Sequence, residues 1–488
     1  MKKTVINAQK IQEVVSELVQ IANISLPQDV ENAISLALKK EKNPHGIAIL
    51  KLLIANSRMA RHLKLPICQD TGIDTVFLEI GQGISIDGDI QEAINKGIAE
   101  GTEKGFLRAS VCDPLTRKNT GNNSPAVIHT ELTPSDGLAI SLLPKGCGSE
   151  NMSALYMLPP SEGIEGIIKT IKKQVEKAWA NPCPPGIIGI GIGGTMEKAA
   201  FLSKKALLRP LGVLNKREDV AQLEERLFLE INKLGIGPSG LGGNTTTLGV
   251  AVELYPCHIA SLPLAINIQC HAARNCKAIF HNGKWEYSQT AEEGKERLKK
   301  TIKKMIPDAR VIDLPFKKKD LESLRAGDWV LLNGTLYTGR DQTHKKIVEM
   351  LKKGETLPVD LKGQLVYYVG PSPAPPGRPV GSAGPTTSYR MDAYTPQMLA
   401  AGVVATKGKG KRSEAVKDAK KKHEAIYLAS IGGLGALLGN CVTRCELIAF
   451  PELGPEALYK MEVKDFPAIV INDVLGNDYY EEVKKNRI

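Results

Sequence analysis

Aromatic side chains make up only 5% of this 488-residue sequence. Its core must therefore rest on Ile, Leu, Val and Ala. Nor does it have an apolar run of the ~20 residues that a membrane-spanning helix needs. The longest weakly polar stretch, Ile426–Val442, is shorter and carries four glycines, so it is read as a buried, glycine-rich segment. Two lysines open the chain at Lys2 and Lys3, but no apolar core follows them as in a secretory leader. A cytoplasmic protein with no membrane partner is expected. The nine cysteines are odd in number and widely spread, which argues against a disulfide framework. They show neither the tight pairing of a short zinc signature nor the clustered spacing of a ferredoxin.

With 42% hydrophobic and 24% charged residues, the chain is too apolar for a largely disordered protein. Its length predicts two or three domains. The formal charge is +11, with Lys-rich runs at 295–304, 317–319 and 407–422. A basic nucleic-acid-binding protein is one reading of that charge. The runs lack the interleaved aromatics on which bases stack, so solvated helix faces are the better account and no nucleic-acid partner is expected.

Helical spacing marks the first sixty residues, with Asn7 as an N-cap, a second helix after Pro27 and a third running through Ile49, Leu52 and Met59. Further elements are expected at Thr75–Ile80 (strand), Asp89–Lys104 (helix), Leu138–Leu143 (strand) and Ile164–Trp179 (helix). Ile187–Ile192 alternates Ile with Gly, as in a strand closely approached by other backbone. A charged segment, 287–306, reads as a linker. Beyond Pro307, short strands alternate with helices such as Gln342–Lys353 and Ser413–His423. The expected fold is a multidomain α/β chain. An α+β domain over 1–286 is joined to a layered β/α/β domain over 307–488.

The chemistry sits in loops dense in Gly, Pro, Cys, Asn and Thr. They include Cys68-Gln69-Asp70-Thr71-Gly72, Thr120–Pro125, Lys145–Asn151, Cys183-Pro184-Pro185-Gly186 and the stretch from Cys257-His258 to Cys270-His271. In the second half they are Gly334–His344, Gly381–Asp392 and Thr406–Arg412. On residue chemistry alone, Cys68, Cys183 and Cys270 are either buried thiols or cluster ligands. Cys257, His258, Cys270, His271 and Cys276 also permit a zinc-stabilised module. Cys441 and Cys445 read as structural. Arg340 and Arg390 offer planar forks for a carboxylate or for a salt bridge, and Gly384-Pro385-Thr386-Thr387 offers an anion seat at a helix start.

Seven or more of these motifs, in order from about residue 10 to 480, resemble the class I fumarases and L-tartrate dehydratases, with the α and β parts fused in one chain. The resemblance implies an oxygen-sensitive iron–sulfur hydro-lyase of the tricarboxylic acid cycle, acting as a homodimer with a swivelling C-terminal domain. It implies a [4Fe-4S] cluster on Cys68, Cys183 and Cys270, whose open iron acts as a Lewis acid. A four-carbon dicarboxylate would be seated by Arg108, Arg340, Arg390 and Lys409, assisted by Gln69, Gly148 and Thr387. Asp70 and Thr386 are the expected base candidates, with Asp70 the likelier proton sink, and His258 serves the hydroxyl side. The reaction implied is hydration of fumarate to (S)-malate, or alternatively dehydration of L(+)-tartrate to oxaloacetate. Cys147 stands where relatives more usually have glycine. Residues from both halves place the site between the domains, which would allow them to move around the substrate.

Overall fold

The computed structural model describes residues 4–272, 274–289 and 302–486. Most of the expected linker, residues 290–301, lies outside them. A short helix, Ile302–Met305, opens the second half.

Among the described residues the first half contains a two-stranded pair, Thr4–Asn7 with Ile84–Asp87, and two larger sheets. Asn7 caps the helix Ala8–Ile24, its side chain accepting from the Gln9 N–H at 2.8 Å. That helix packs on Ile90–Lys104 through Gly97 and Gly101. A Cβ at either position would press into Val15 or Val19. Both helices cover a five-stranded sheet, ordered Lys284–Tyr287, Cys276–His281, Leu138–Lys145, Ile73–Gly81, Val127–Thr133. The second sheet has four strands, ordered Ala154–Leu158, Leu262–Gln269, Gly186–Gly193, Thr247–Tyr255. The close approach expected of the Ile–Gly strand is present. A Cβ on Gly191 would meet the Ser203 backbone N at 2.6 Å, in the helix Met196–Lys205.

The second half departs from a simple layered plan. Trp329–Thr338, Leu365–Tyr367, Ala405–Gly408, Ile426–Ala429 and Leu458–Asn472 pair in that order, and the last pairs back onto the first. The sheet therefore closes into a ring, which removes the edges of these five strands. Closure depends on Leu458–Asn472, 15 residues long and poorly marked in the sequence. Lys460, Glu462 and Lys464 break up its apolar pattern, and Pro467 lies within it. The edge strand Val442–Ala449 was equally hidden, because Thr443, Arg444 and Glu446 face solvent.

Each half keeps a smaller apolar cluster of its own, but the largest core is shared. One continuous apolar core takes Leu50, Leu53 and Ile67 from the first half and Leu434, Leu437 and Leu438 from the second. Asn56, 1% exposed, stitches the seam. It donates to the Ile67 carbonyl (3.1 Å) and the Gly433 carbonyl (2.9 Å), and accepts from the Leu437 N–H (2.9 Å). Asn56→Ala strands buried groups on both sides. At about 1–3 kcal/mol for each unpaired group, thermal melts should show a clearly lowered midpoint. A midpoint equal to that of the wild type would mean that the seam does not depend on Asn56.

Candidate active site

A cleft of about 1520 Å³ opens between the halves. Gln69, Asp70, Arg108, Cys147 and Gly148 line it from the first half. Arg340, Thr386, Thr387, Arg390 and Lys409 line it from the second. All of the expected substrate-contact residues, and both base candidates, therefore meet at one place.

Local structure explains how. The Cys68–Gly72 loop follows the helix Pro44–Leu63 and leads into the strand Ile73–Gly81. Cys147 and Gly148 begin the short helix Cys147–Glu150 that follows the neighbouring strand. Arg340 stands at the start of the helix Asp341–Lys353, and Thr387 at the start of the turn Ser388–Met391, which carries Arg390. Thr387 bridges to Lys409 in parallel β fashion.

Asp70 is the most heavily engaged group. Oδ1 accepts from Arg108 Nη2 at 3.0 Å, Oδ2 accepts from the Cys147 N–H at 3.0 Å, and its backbone carbonyl accepts from Arg274 at 2.5 Å. Burial pushes its carboxyl up, but Arg108, Arg274, Lys409 and Arg340 outweigh this and hold it below the usual carboxylate value. Arg108 also donates to the Gly370 carbonyl across the seam at 2.8 Å. Gln69 Nε2 crosses to the Pro385 carbonyl at 3.2 Å.

The cations differ in their freedom. Arg340 pairs with Glu456 at 3.0 Å and is nearly enclosed, and burial lowers its pKa to about 10. Arg390 is one-third exposed and reaches only Asp341, at 3.8 Å. Lys409 is part-buried and donates to Cys183 Sγ at 2.8 Å. Burial opposes its charge, but Cys183, Cys270 and Cys68 prevail and raise its pKa above the ordinary value. A Cβ on Gly148 would lie 2.7 Å from Lys409 Nζ, so glycine there makes room for the ammonium.

The three expected ligand cysteines gather beside Lys409. All are free thiols. Cys270 pushes the Cys183 thiol up while Cys183 pulls the Cys270 thiol down, and Cys270 also feels the charge of Cys68. Cys183 takes φ 61°, unusual for a residue with a side chain, and such strain concentrates at functional positions. Among the described residues, no three His, Cys, Asp or Glu side chains converge tightly enough to hold a single metal ion. Three soft thiolate donors without a carboxylate among them fit an iron–sulfur cluster, which its ligands surround at wider spacing.

His258 lies away from the cleft residues of its own chain. The cysteine loops lie where Gly186 pairs with Thr247 and Ile187 with Gln269. His258 follows Tyr255, which pairs with Gly193 at the opposite end of the same strand, roughly 23 Å away at 3.3 Å per residue. It is exposed and does not reach the cleft within one chain. This separation also dissolves the zinc module, since Cys257 and His258 lie far from Cys270 and His271. The histidine beside the cysteines is His271. It is 2% exposed, with Nδ1 2.9 Å from the Cys183 carbonyl. Its signal in the sequence was adjacency to Cys270. Arg274, which holds Asp70 from four residues beyond Cys270, left no such signal.

Comparison with known proteins agrees with this arrangement. Residues 12–279 match the family described as Fumarate hydratase (Fumerase), and residues 283–483 match Fumarase C-terminus. The chain is 33% identical to a putative fumarate hydratase class I of Geobacillus stearothermophilus, covering 98% of each protein. It is 34% identical to the aerobic class I fumarate hydratase of Escherichia coli strain K12, over 88% of this chain and 82% of that protein. The first half is 46% identical to a putative L(+)-tartrate dehydratase subunit alpha of Methanocaldococcus jannaschii, over 54% of this chain and 95% of that protein. The chain belongs to the class I fumarate hydratase family, with both family segments fused in one polypeptide.

Proposed function

We propose that this protein is an iron–sulfur hydro-lyase that interconverts fumarate and (S)-malate. The observation carrying the proposal is the gathering of three free cysteines behind a cleft lined by cations from both halves. Cys68, Cys183 and Cys270 would hold a [4Fe-4S] cluster. When bound, the cluster supplies a Lewis-acidic iron that polarises the substrate hydroxyl. Cytoplasmic location, oxygen sensitivity, a place in the tricarboxylic acid cycle and the division at 286/307 belong to the same reading. So does a homodimer, for which exposed Leu155, Met157 and Ile259 supply an apolar face.

In this reading, Arg390 and Lys409 are the two cationic seats for the two carboxylates. Arg340 and Arg108, already paired with Glu456 and Asp70, shape and orient the cleft. Gln69, Gly148 and Thr387 frame the substrate between them. Thr386 and Asp70 face the cleft from opposite halves. The proton on the carbon beside a carboxylate passes to this pair, with Asp70 as the sink. The cations around Asp70 also stabilise the negative charge that develops on the substrate.

The 46% identity of the first half to a protein named as a tartrate dehydratase subunit supports a second reading, L(+)-tartrate dehydration. Malate, fumarate and L(+)-tartrate assays on anaerobically reconstituted protein separate the two.

Cys68→Ser, Cys183→Ser and Cys270→Ser should each lose bound iron and activity, whereas Cys276→Ser and Cys441→Ser should keep both. A Cys183→Ser protein with full iron content and turnover would sink the ligand assignment.

Arg390→Lys keeps the charge but loses the fork. Loss of a charge-assisted hydrogen bond worth about 1.5–3 kcal/mol should raise KM roughly ten- to a hundredfold. Thr386→Ala should instead lower kcat per intact cluster by about 10²–10⁴. Steady-state kinetics with iron quantified per chain reads both effects. Unchanged turnover per cluster in Thr386→Ala would remove it from proton transfer.

A further inference from the structure

Three of the four glycines in the Ile426–Val442 segment face the cysteine loops one by one. A Cβ on Gly432 would overlap Cys183 Sγ and lie 2.8 Å from Cys183 Cβ. A Cβ on Gly433 would lie 2.5 Å from Cε1 of His271, the residue after Cys270. A Cβ on Gly435 would lie 2.8 Å from the Cys68 Cα. Three glycines of the second half thus abut the three cysteine loops of the first. Gly433 has φ 76°, a conformation that favours glycine. Gly432 and Gly435 do not have positive φ, so space alone demands glycine there.

The segment is pinned in place. The Gly435 N–H donates to the Ile67 carbonyl at 2.9 Å, and its carbonyl accepts from Ala383 at 2.9 Å. Asn56 holds the Gly433 carbonyl and the Leu437 N–H. His271 ties the other side through the Cys183 carbonyl.

We propose that Gly432–Gly435 is a wall of the cluster seat, a positioning element supplied by the second half. Cluster loading then firms a seam that the halves have already formed, although all three ligands lie in the first half. This inference rests on the assignment of the cluster to Cys68, Cys183 and Cys270. An alanine at 432 or 435 keeps its own backbone unstrained but displaces a ligand loop, meeting the Cys183 side chain at 432 and the Cys68 main chain at 435.

The test uses the full chain, apo and after anaerobic reconstitution with iron and sulfide. In the wild type, loading should slow amide hydrogen exchange across residues 430–438 by at least about tenfold. Gly432→Ala and Gly435→Ala should bind less than about a tenth of the wild-type iron and sulfide while retaining its far-UV circular dichroism. A wild type that takes up no iron refutes the cysteine assignment and this inference with it. A wild type that loads with unchanged exchange at 430–438 overturns only the role of the loop, as does a Gly432→Ala chain that loads like the wild type. The exchange measurement needs no variant, so it decides the matter even where a variant fails to fold.

Discussion

A single carboxylate, Asp70, joins stretches of chain that are far apart in sequence. Its two oxygens hold Arg108 and the first N–H of the Cys147 helix, and its carbonyl holds Arg274. Arg108 then reaches across the seam to the Gly370 carbonyl. A carboxylate this enclosed is costly unless it is fully paired, so its partners must stay in place. That requirement fixes the Cys68 loop, the Cys147 helix and the approach to Cys270 relative to one another. The cleft wall is therefore organised before any ligand arrives, as pre-organised binding and catalysis demand.

The seam limits how the halves can move. The sequence suggested that domain movement would admit substrate. Asn56, Arg108 and Gln69 all cross between the halves in buried hydrogen bonds, and one apolar core underlies them. Separating the halves at this level would expose several unpaired groups at once. Access must come from the cleft mouth, where residues 113–121 are exposed and Arg117 and Lys118 line the opening.

Elements set by local rules were legible in the sequence. Asn7 capped its helix, and Ile187–Ile192 was a strand pressed against a helix. Ile426–Val442 was buried, because each followed from composition and period alone. The cleft residues were legible because their loops carry distinctive residue types in a family order. Tertiary closure was not. The ring needs a long strand whose outward Lys and Glu side chains mask its period. That His258 and Cys270 stand a full strand length apart was hidden, because they are close along the chain and one strand separates them. The glycines at 432–435 were visible, but their partners were some 160 to 370 residues away and no local pattern points to them.

The pairing of charges in the cleft decides which cations are available to a ligand. Arg108 is committed to Asp70 and Arg340 to Glu456, each with a partner at 3.0 Å. Arg390 is only loosely held by Asp341 at 3.8 Å, and Lys409 has no carboxylate partner among the ion pairs of the described residues. Of these four cations, two thus lack a close carboxylate partner, one from the 388–391 turn and one from the strand end at Lys409. A dianion with two carboxylates matches that number. A monoanion would leave one of these two cations without a carboxylate partner. The selection for a dicarboxylate is therefore contained in what the protein has already neutralised, as much as in the groups it presents.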